Sequence, residues 1–156
     1  CLSNRGQMFW LDENSPACIG PKRRPRTTLS PSLALKDGLP YMVFGTPGGD
    51  QQDQWSLHLF LRHVHFGLNL QEAIDAPGFS TAHFPNSFYP RETDIGHLAV
   101  ERRFPKEAID ELIKKGHKVI IDDDWSLGRM TAASKDNEIL KAAANPRFMQ
   151  GYAIGR

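Results

Sequence analysis

The feature that most constrains this chain is a short apolar run that ends in a proline and two glycines before a helical pattern begins. Residues 41–44 are apolar throughout, and Gly-Thr-Pro-Gly-Gly follows at 45–49. Apolar residues then recur at helical spacing, which predicts a buried helix over 50–66 with Asp50 as its N-cap. An uninterrupted apolar run is typical of a strand buried on both faces. The centre of the chain is therefore predicted to be strand, tight turn and helix.

Turn and cap signals predict the elements on either side. Asp37-Gly38 indicates a hairpin over 32–46. Asn69 is expected to cap a short helix over 70–75, which Pro77 stops, and Gly67 is a candidate C-cap for the helix before it. A helix is predicted over 105–115. The remaining predictions are a proline-rich loop at 13–31, short strands within 78–101, a strand at 118–121, a hairpin of strands 129–134 and 138–143 around Asp136-Asn137, and an edge strand at 152–154.

These elements and the composition describe one domain. The chain has 156 residues, of which 40% are hydrophobic and 24% charged. Strands, helices and further strands predict an α+β or layered α/β fold, without the repeated β-α alternation of a Rossmann sheet. Collagen, coiled coil and a fully disordered chain are excluded.

Charge and hydropathy exclude several classes of partner. Lys plus Arg number 19 and Asp plus Glu 18, so the net charge is +1. We therefore expect neither nucleic acid nor a membrane as a partner. No apolar run approaches the ~20 residues of a membrane span. The basic cluster at 22–26 is a possible polyanion patch, but a solvated loop with one or two positioned arginines is favoured.

Gly48 and Gly49 are the first candidate site residues. Two glycines between a strand and a helix allow close approach of a ligand, and their N–H groups can bind an anion or a developing oxyanion. No Gly-Lys-Ser/Thr follows, so the motif is not a P-loop. The alternative is a tight turn without function.

Four polar residues are further candidates. The adjacent hydroxyls of Thr27 and Thr28 can bind a carboxylate, and Gln7 and Asp12 can accept hydrogen bonds from an ammonium group. For each pair the alternative is an ordinary polar loop.

Metals and cofactors are not expected. His63 and His65 are two apart on a predicted helix and point to different faces, and no spacing resembles a zinc site. We interpret the six histidines as surface or packing residues. Cys1 has the chemistry of an N-terminal nucleophile, but a fragment boundary explains it equally well.

In combination, these motifs resemble the small subunit of the γ-glutamyltranspeptidase family. The joint pattern covers nearly the whole chain, whereas each motif alone is unspecific. The matching segments are 20–31, 37–38, 45–49, 66–77, 116–119, 145–147 and 151–152.

The resemblance implies a partial N-terminal nucleophile hydrolase fold, an α-β-β-α sandwich, in which residues 1–156 form the C-terminal portion of the small subunit. The family precursor cuts itself, and the new N-terminal threonine attacks a γ-glutamyl amide. That threonine and a large-subunit arginine would lie outside this chain, so Cys1 is not the expected nucleophile. The implied partners are the large subunit, a small-molecule amide such as glutathione, and water or an amine acceptor.

The resemblance also assigns roles to the candidates. Gly48 and Gly49 match the oxyanion-hole pair, Thr27 and Thr28 match a serine pair that holds the substrate carboxylate, and Gln7 lies near the substrate amine. The family's ammonium-binding aspartate falls at Trp10, with Asp12 as a possible replacement.

Two alternatives follow from this departure. One is an acylase that acts on other amides, of the cephalosporin or glutaryl type. The other is a binding module that keeps the fold without turnover.

Overall fold

The computed structural model describes residues 4–149 and 151–154, so Cys1 lies outside the described residues. Within them, seven strands and three α-helices follow one another along the chain. They are β1 Ser32–Lys36, β2 Leu39–Gly45, α1 Gln52–Val64, α2 Leu70–Asp75, β3 Phe79–Thr81, β4 His97–Glu101, α3 Lys106–Lys114, β5 Lys118–Asp122, β6 Thr131–Asp136 and β7 Ile139–Ala144, with 3-10 turns at Asn4–Met8, Gly49–Gln51 and Arg147–Met149.

The strands form two sheets. The larger is antiparallel in the order β1-β2-β6-β7, and the smaller has the order β3-β4-β5. In the smaller sheet β3 and β4 are antiparallel and β4 and β5 parallel, with α3 in the connection between them. The chain is thus a mixed α/β structure, with a single crossover unit instead of a repeated β-α alternation.

The core lies between one face of the larger sheet and the helices α1 and α2. A single cluster of buried side chains joins the three elements. Its members are Met42, Leu59, Leu70, Ala73, Ile74, Met130, Ala132 and Ala143.

The prediction that the second strand is buried on both faces is wrong. Met42 is 1% exposed, but its neighbour Val43 is 49% exposed. Leu33, Ala133 and Ala142 are also exposed, and pairing places all four in one row across the sheet. No described element covers this row, so an apolar sheet face remains open over a shallow concavity of about 930 Å³.

Most of the predicted helix caps, helix bounds and hairpins agree with the structure. Asn69 forms a complete capping box with Glu72, and α3 lies within the predicted 105–115. The hairpins β1-β2 and β6-β7 are confirmed. Asp50 is not the cap of α1: Gln51 precedes the helix, and a 3-10 turn begins it.

Two further predictions have clear outcomes. The edge strand at 152–154 is wrong, because these residues are not in a strand. His63 is a packing residue as interpreted, since its Nε2 lies 2.8 Å from the Tyr41 hydroxyl and its Nδ1 2.8 Å from the Leu68 carbonyl oxygen. No helix among the described residues is long and apolar enough to cross a bilayer.

A buried ion cluster ties the smaller sheet to α2 and to the segment after β7. Glu101 has no exposed surface and accepts hydrogen bonds from the Gly78 and Leu127 N–H groups and from Arg103 and Arg147. Burial by itself would raise the pKa of Glu101, but these four donors outweigh burial and hold the pKa below its ordinary value of 4.5.

Candidate functional site

The Gly48–Gly49 turn joins β2 to α1 in a conformation that favours glycine. Gly48 has φ 146° and Gly49 has φ 59°. A Cβ atom on Gly48 would lie 2.3 Å from the ring of Trp55, whereas one on Gly49 would lie 3.5 Å from Phe88. Trp55 is itself held by a 3.1 Å hydrogen bond from Nε1 to the Phe79 carbonyl. A side chain at position 48 would therefore clash with Trp55, whereas there is room for a Cβ atom at position 49.

The N–H groups of both glycines are available for a ligand. Over residues 4–149 and 151–154, neither N–H donates to an acceptor within the fold. Both groups precede α1, which extends for 13 residues behind them. Unpaired N–H groups at a helix N-terminus, with the helix dipole behind them, attract negative charge.

Asp50 connects this turn to a second loop instead of capping the helix. Its carboxylate accepts hydrogen bonds from the backbone N–H of Ser87, at 2.7 Å, and from the Ser87 hydroxyl. It also lies 3.6 Å from Nη2 of Arg26. Asp50 thus holds residues 86–91, which we call the 86–91 loop, against the start of α1.

Thr27 and Thr28 lie on a segment that runs along the first turn of α1. Their neighbour Arg26 reaches Asp50, and Ser30 Oγ donates to Gln52 Oε1 at 3.3 Å. Thr28 is 7% exposed, whereas Thr27 is exposed and its Oγ1 accepts a 3.1 Å hydrogen bond from the Leu29 N–H. The segment brings hydroxyl groups and a guanidinium to the side of the helix start.

Within the part of the chain that the structure describes, Gln7 is joined to the 86–91 loop only through its backbone carbonyl, which Arg91 contacts, and Asp12 is not joined to the other candidates. Gln7 lies in the 3-10 turn Asn4–Met8 with an exposed side chain. The Asp12 carboxylate accepts from the Asn14 backbone N–H at 3.0 Å and from Nδ2 at 3.3 Å, within its own exposed turn. Among the described residues, no hydrogen bond or ion pair joins Asp12 to the other candidates.

Arg91 is the residue that sequence reasoning missed. Its Nη2 donates to the carbonyls of Gln7 at 3.0 Å and Phe9 at 2.7 Å, and its Nη1 donates to the Ser87 carbonyl at 2.7 Å. Its guanidinium carbon lies 5.0 Å from the centre of a Trp10 ring. Phe88 of the same loop faces Gly49. No spacing rule could have shown this, since Arg91 and Gln7 are 84 positions apart in the sequence.

The arrangement is suited to bind negative charge. Two N–H groups, adjacent hydroxyls and two arginines surround the start of α1, with Asp50 as a partner of Arg26. A cavity of about 250 Å³ adjoins it, and charges of both signs line this cavity: Arg26 together with Asp50, Asp53 and Glu92. Within the described part of the chain, no group of three or more His, Cys, Asp or Glu side chains could hold a metal ion.

Comparison with known proteins gives a consistent result. The family model described as Gamma-glutamyltranspeptidase matches residues 1–155. The chain is 34% identical to the glutathione hydrolase-like YwrD proenzyme of Bacillus subtilis, over 99% of this chain and 29% of that protein. It is 35% identical to the oxamate amidohydrolase proenzyme of Klebsiella pneumoniae, over 97% of this chain and 28% of that protein.

Solved structures agree. A structure of LmbA2991 superposes with a TM-score of 0.91 at 54% identity, over 99% of this chain and 28% of that one. Other similar structures include gamma-glutamyltranspeptidases and a cephalosporin acylase. The chain thus spans less than a third of the length of the curated relatives that it matches.

Proposed function

The chain belongs to the gamma-glutamyltranspeptidase family, and on that premise we propose that it supplies half of the active site of a self-processing amide hydrolase or acyltransferase. The observation that carries this proposal is the pair of unpaired N–H groups at Gly48 and Gly49 before α1. Such a pair is what an acyl transfer needs to stabilise the oxyanion of its tetrahedral intermediate.

The proposed chemistry proceeds through an acyl-enzyme. The N-terminal threonine of the small subunit, upstream of this chain, adds through its hydroxyl oxygen to the amide carbon of the donor. The carbonyl oxygen becomes an oxyanion between the Gly48 and Gly49 N–H groups. The amine leaves with a proton, and water or an amine then takes the acyl group and releases the threonine.

Thr27 and Thr28 are proposed to hold the carboxylate at the far end of the donor, and Gln7 to line the same end. Their positions beside the first turn of α1 support this assignment. Asp12 stays a proposed substitute for the ammonium-binding carboxylate, and its bonds to Asn14 would have to break for that role.

The rest of the protein is proposed to complete the fold. Residues 1–156 are the C-terminal portion of the small subunit, and the open sheet face packs on a second sheet in an α-β-β-α sandwich. The large subunit of the same precursor is the proposed partner, and a glutathione-like γ-glutamyl amide the proposed donor.

A second candidate function is hydrolysis of amides whose acyl part lacks the γ-glutamyl amine. Trp10 favours it, because the ring stands at the position that corresponds to the ammonium-binding aspartate. One relative, an oxamate amidohydrolase, is named for a substrate without such an amine.

The test uses the full-length precursor, purified and incubated with γ-glutamyl and glutaryl p-nitroanilides. We expect cleavage into two subunits, turnover, and an acyl adduct on the small subunit by intact mass. Replacement of the N-terminal threonine by alanine should abolish the adduct. A stable, uncut precursor without turnover would instead support a binding module.

A matched pair of variants tests the carboxylate assignment. Thr27→Val removes a hydroxyl at nearly constant volume, whereas Thr27→Ser keeps it. We expect Thr27→Val to lower kcat/KM for the glutaryl anilide by roughly tenfold, the range of a charge-assisted hydrogen bond. Butyryl anilide, which has no distal carboxylate, should be unaffected, and equal losses for both donors would contradict the role.

A further inference from the structure

Arg91 places a cation beside residues 7, 9 and 10. Its guanidinium contacts the carbonyl oxygens of residues 7 and 9 and the Trp10 ring. Positions 7 and 10 are those that the resemblance assigns to the substrate amine. Where a relative of the family would offer a carboxylate, this chain presents an aromatic ring with a positive charge over it.

The charge of Arg91 has no carboxylate partner among the described residues. Its hydrogen-bond acceptors are three backbone carbonyls. The nearby Asp50 is 3.6 Å from Arg26 and binds Ser87 through both carboxylate oxygens. Asp50 is thus engaged by Arg26 and Ser87, and no ion pair among the described residues neutralises the charge of Arg91.

From this arrangement we propose that Arg91 is a specificity-determining residue that disfavours acyl donors with an α-ammonium group. It favours donors that keep the distal carboxylate and are neutral at the α-carbon. This inference rests on the proposed amide hydrolysis, and it selects the second candidate substrate class, donors without the α-amine, over the γ-glutamyl amide. Like charges disfavour each other most where solvent is partly excluded, and Arg91 and Trp10 are both partly buried.

Three donors separate charge from size. Glutaryl, 2-hydroxyglutaryl and γ-glutamyl p-nitroanilides share the distal carboxylate and differ only at the α-carbon, which bears hydrogen, hydroxyl or ammonium. On the full-length processed enzyme we expect the glutaryl and hydroxyglutaryl donors to have kcat/KM values within about threefold. The γ-glutamyl donor should be at least tenfold poorer, a modest like-charge effect.

Variants at position 91 test the source of this order. Arg91→Gln removes the charge, and Arg91→Lys keeps it but loses the forked geometry. Both changes disturb the contacts to three carbonyls and should lower all rates. The informative quantity is therefore the ratio of γ-glutamyl to hydroxyglutaryl kcat/KM, which should rise at least fivefold in Arg91→Gln and stay unchanged in Arg91→Lys.

Each outcome decides the matter. Equal rates for the hydroxyl and ammonium donors, a preference for the γ-glutamyl donor, or an unchanged ratio in Arg91→Gln would overturn the role of Arg91. If Arg91→Gln fails to fold, the order of the three donors on the unaltered enzyme decides alone. Absence of turnover with any donor would refute the proposed function itself, which is a distinguishable result.

Discussion

At the scale of single residues, Gly48 and Gly49 differ in what surrounds them. The Cβ position of Gly48 is 2.3 Å from Trp55, and that of Gly49 is 3.5 Å from Phe88. Both backbones have positive φ, but only that of Gly49 falls in the left-handed helical region. The two glycines therefore meet different physical limits, although they are neighbours in one motif.

Alanine at each position gives a matched pair in the full-length enzyme. Gly49→Ala should fold with a cost of about 1 kcal/mol for its backbone conformation. Gly48→Ala must displace the turn from Trp55, and we expect a loss of roughly 10²–10³ in kcat, as for a misplaced oxyanion donor. Steady-state kinetics and thermal unfolding check both variants, and equal kcat values would contradict the difference.

The candidate site was predictable only where its residues adjoin in sequence. Gly48 and Gly49 lie where strand and helix patterns meet, so the turn signal located them. Arg91 contacts residues 7, 9 and 10, which are far away in sequence. Such contacts depend on the tertiary fold, and a single sequence has no local signal for them.

At the scale of elements, the charge cluster around Glu101 joins β4, α2 and the segment after β7. Arg147, 3% exposed, donates from Nη1 to the Ile74 carbonyl at 2.9 Å and from Nε to Glu101 at 2.8 Å. Arg103 donates to the Asp75 carbonyl at 2.8 Å. The arginines thus bind carbonyls near the C-terminus of α2, where partial negative charge is concentrated.

Replacing Glu101 should uncouple these elements. Glu101→Gln leaves the buried Arg147 and the partly buried Arg103 without an anion, and we expect about 3–5 kcal/mol of lost unfolding free energy. The control is Asp123→Asn, which breaks an exposed 2.9 Å pair with Arg102 and should cost less than ~1 kcal/mol. Denaturant unfolding of the full-length protein measures both, and similar losses would contradict a role for burial.

The pH dependence has a definite sign. The pKa of Glu101 is lower in the folded protein than its ordinary value of 4.5. The ionised carboxylate therefore adds its full contribution to the free energy of unfolding above pH 4.5, and this contribution is lost as the pH falls through the pKa of the folded state. Glutamine does not titrate, so the unfolding free energy of Glu101→Gln should fall less at acid pH than that of the unaltered protein.

Elements with local signals were predicted well, and those defined by distant partners were not. The capping box at Asn69 and the hairpin turn at Asp136-Asn137 are encoded within a few residues. Asp50, which sequence reasoning assigned as the cap of α1, bonds instead to Ser87, 37 residues away. Residues 152–154 are not in a strand, and their sequence alone names no partner strand.

At the scale of the whole molecule, the open face of the larger sheet decides how this segment behaves alone. Exposed apolar sheet faces favour association. Expressed by itself, the 156-residue segment should bind an apolar dye and self-associate at micromolar concentration. It should show no turnover of γ-glutamyl anilide.

A charged substitution on the open row provides the control. Val43→Glu should reduce association and keep the circular dichroism of the fold, because Val43 is already half-exposed. Met42→Glu, on the core side of the same strand, should unfold it. A monomeric segment without dye binding would contradict an exposed apolar face.

The open row also limits what can cover it. Across the sheet from β1 to β7, the side chains of the row decrease in size, in the order Leu33, Val43, Ala133 and Ala142. Close packing requires the opposite order in the facing layer: slender side chains over Leu33 and bulky ones over the two alanines. The side-chain sizes of any layer that covers this sheet are therefore constrained before its sequence is known, and a designed cover could be ranked by that gradient.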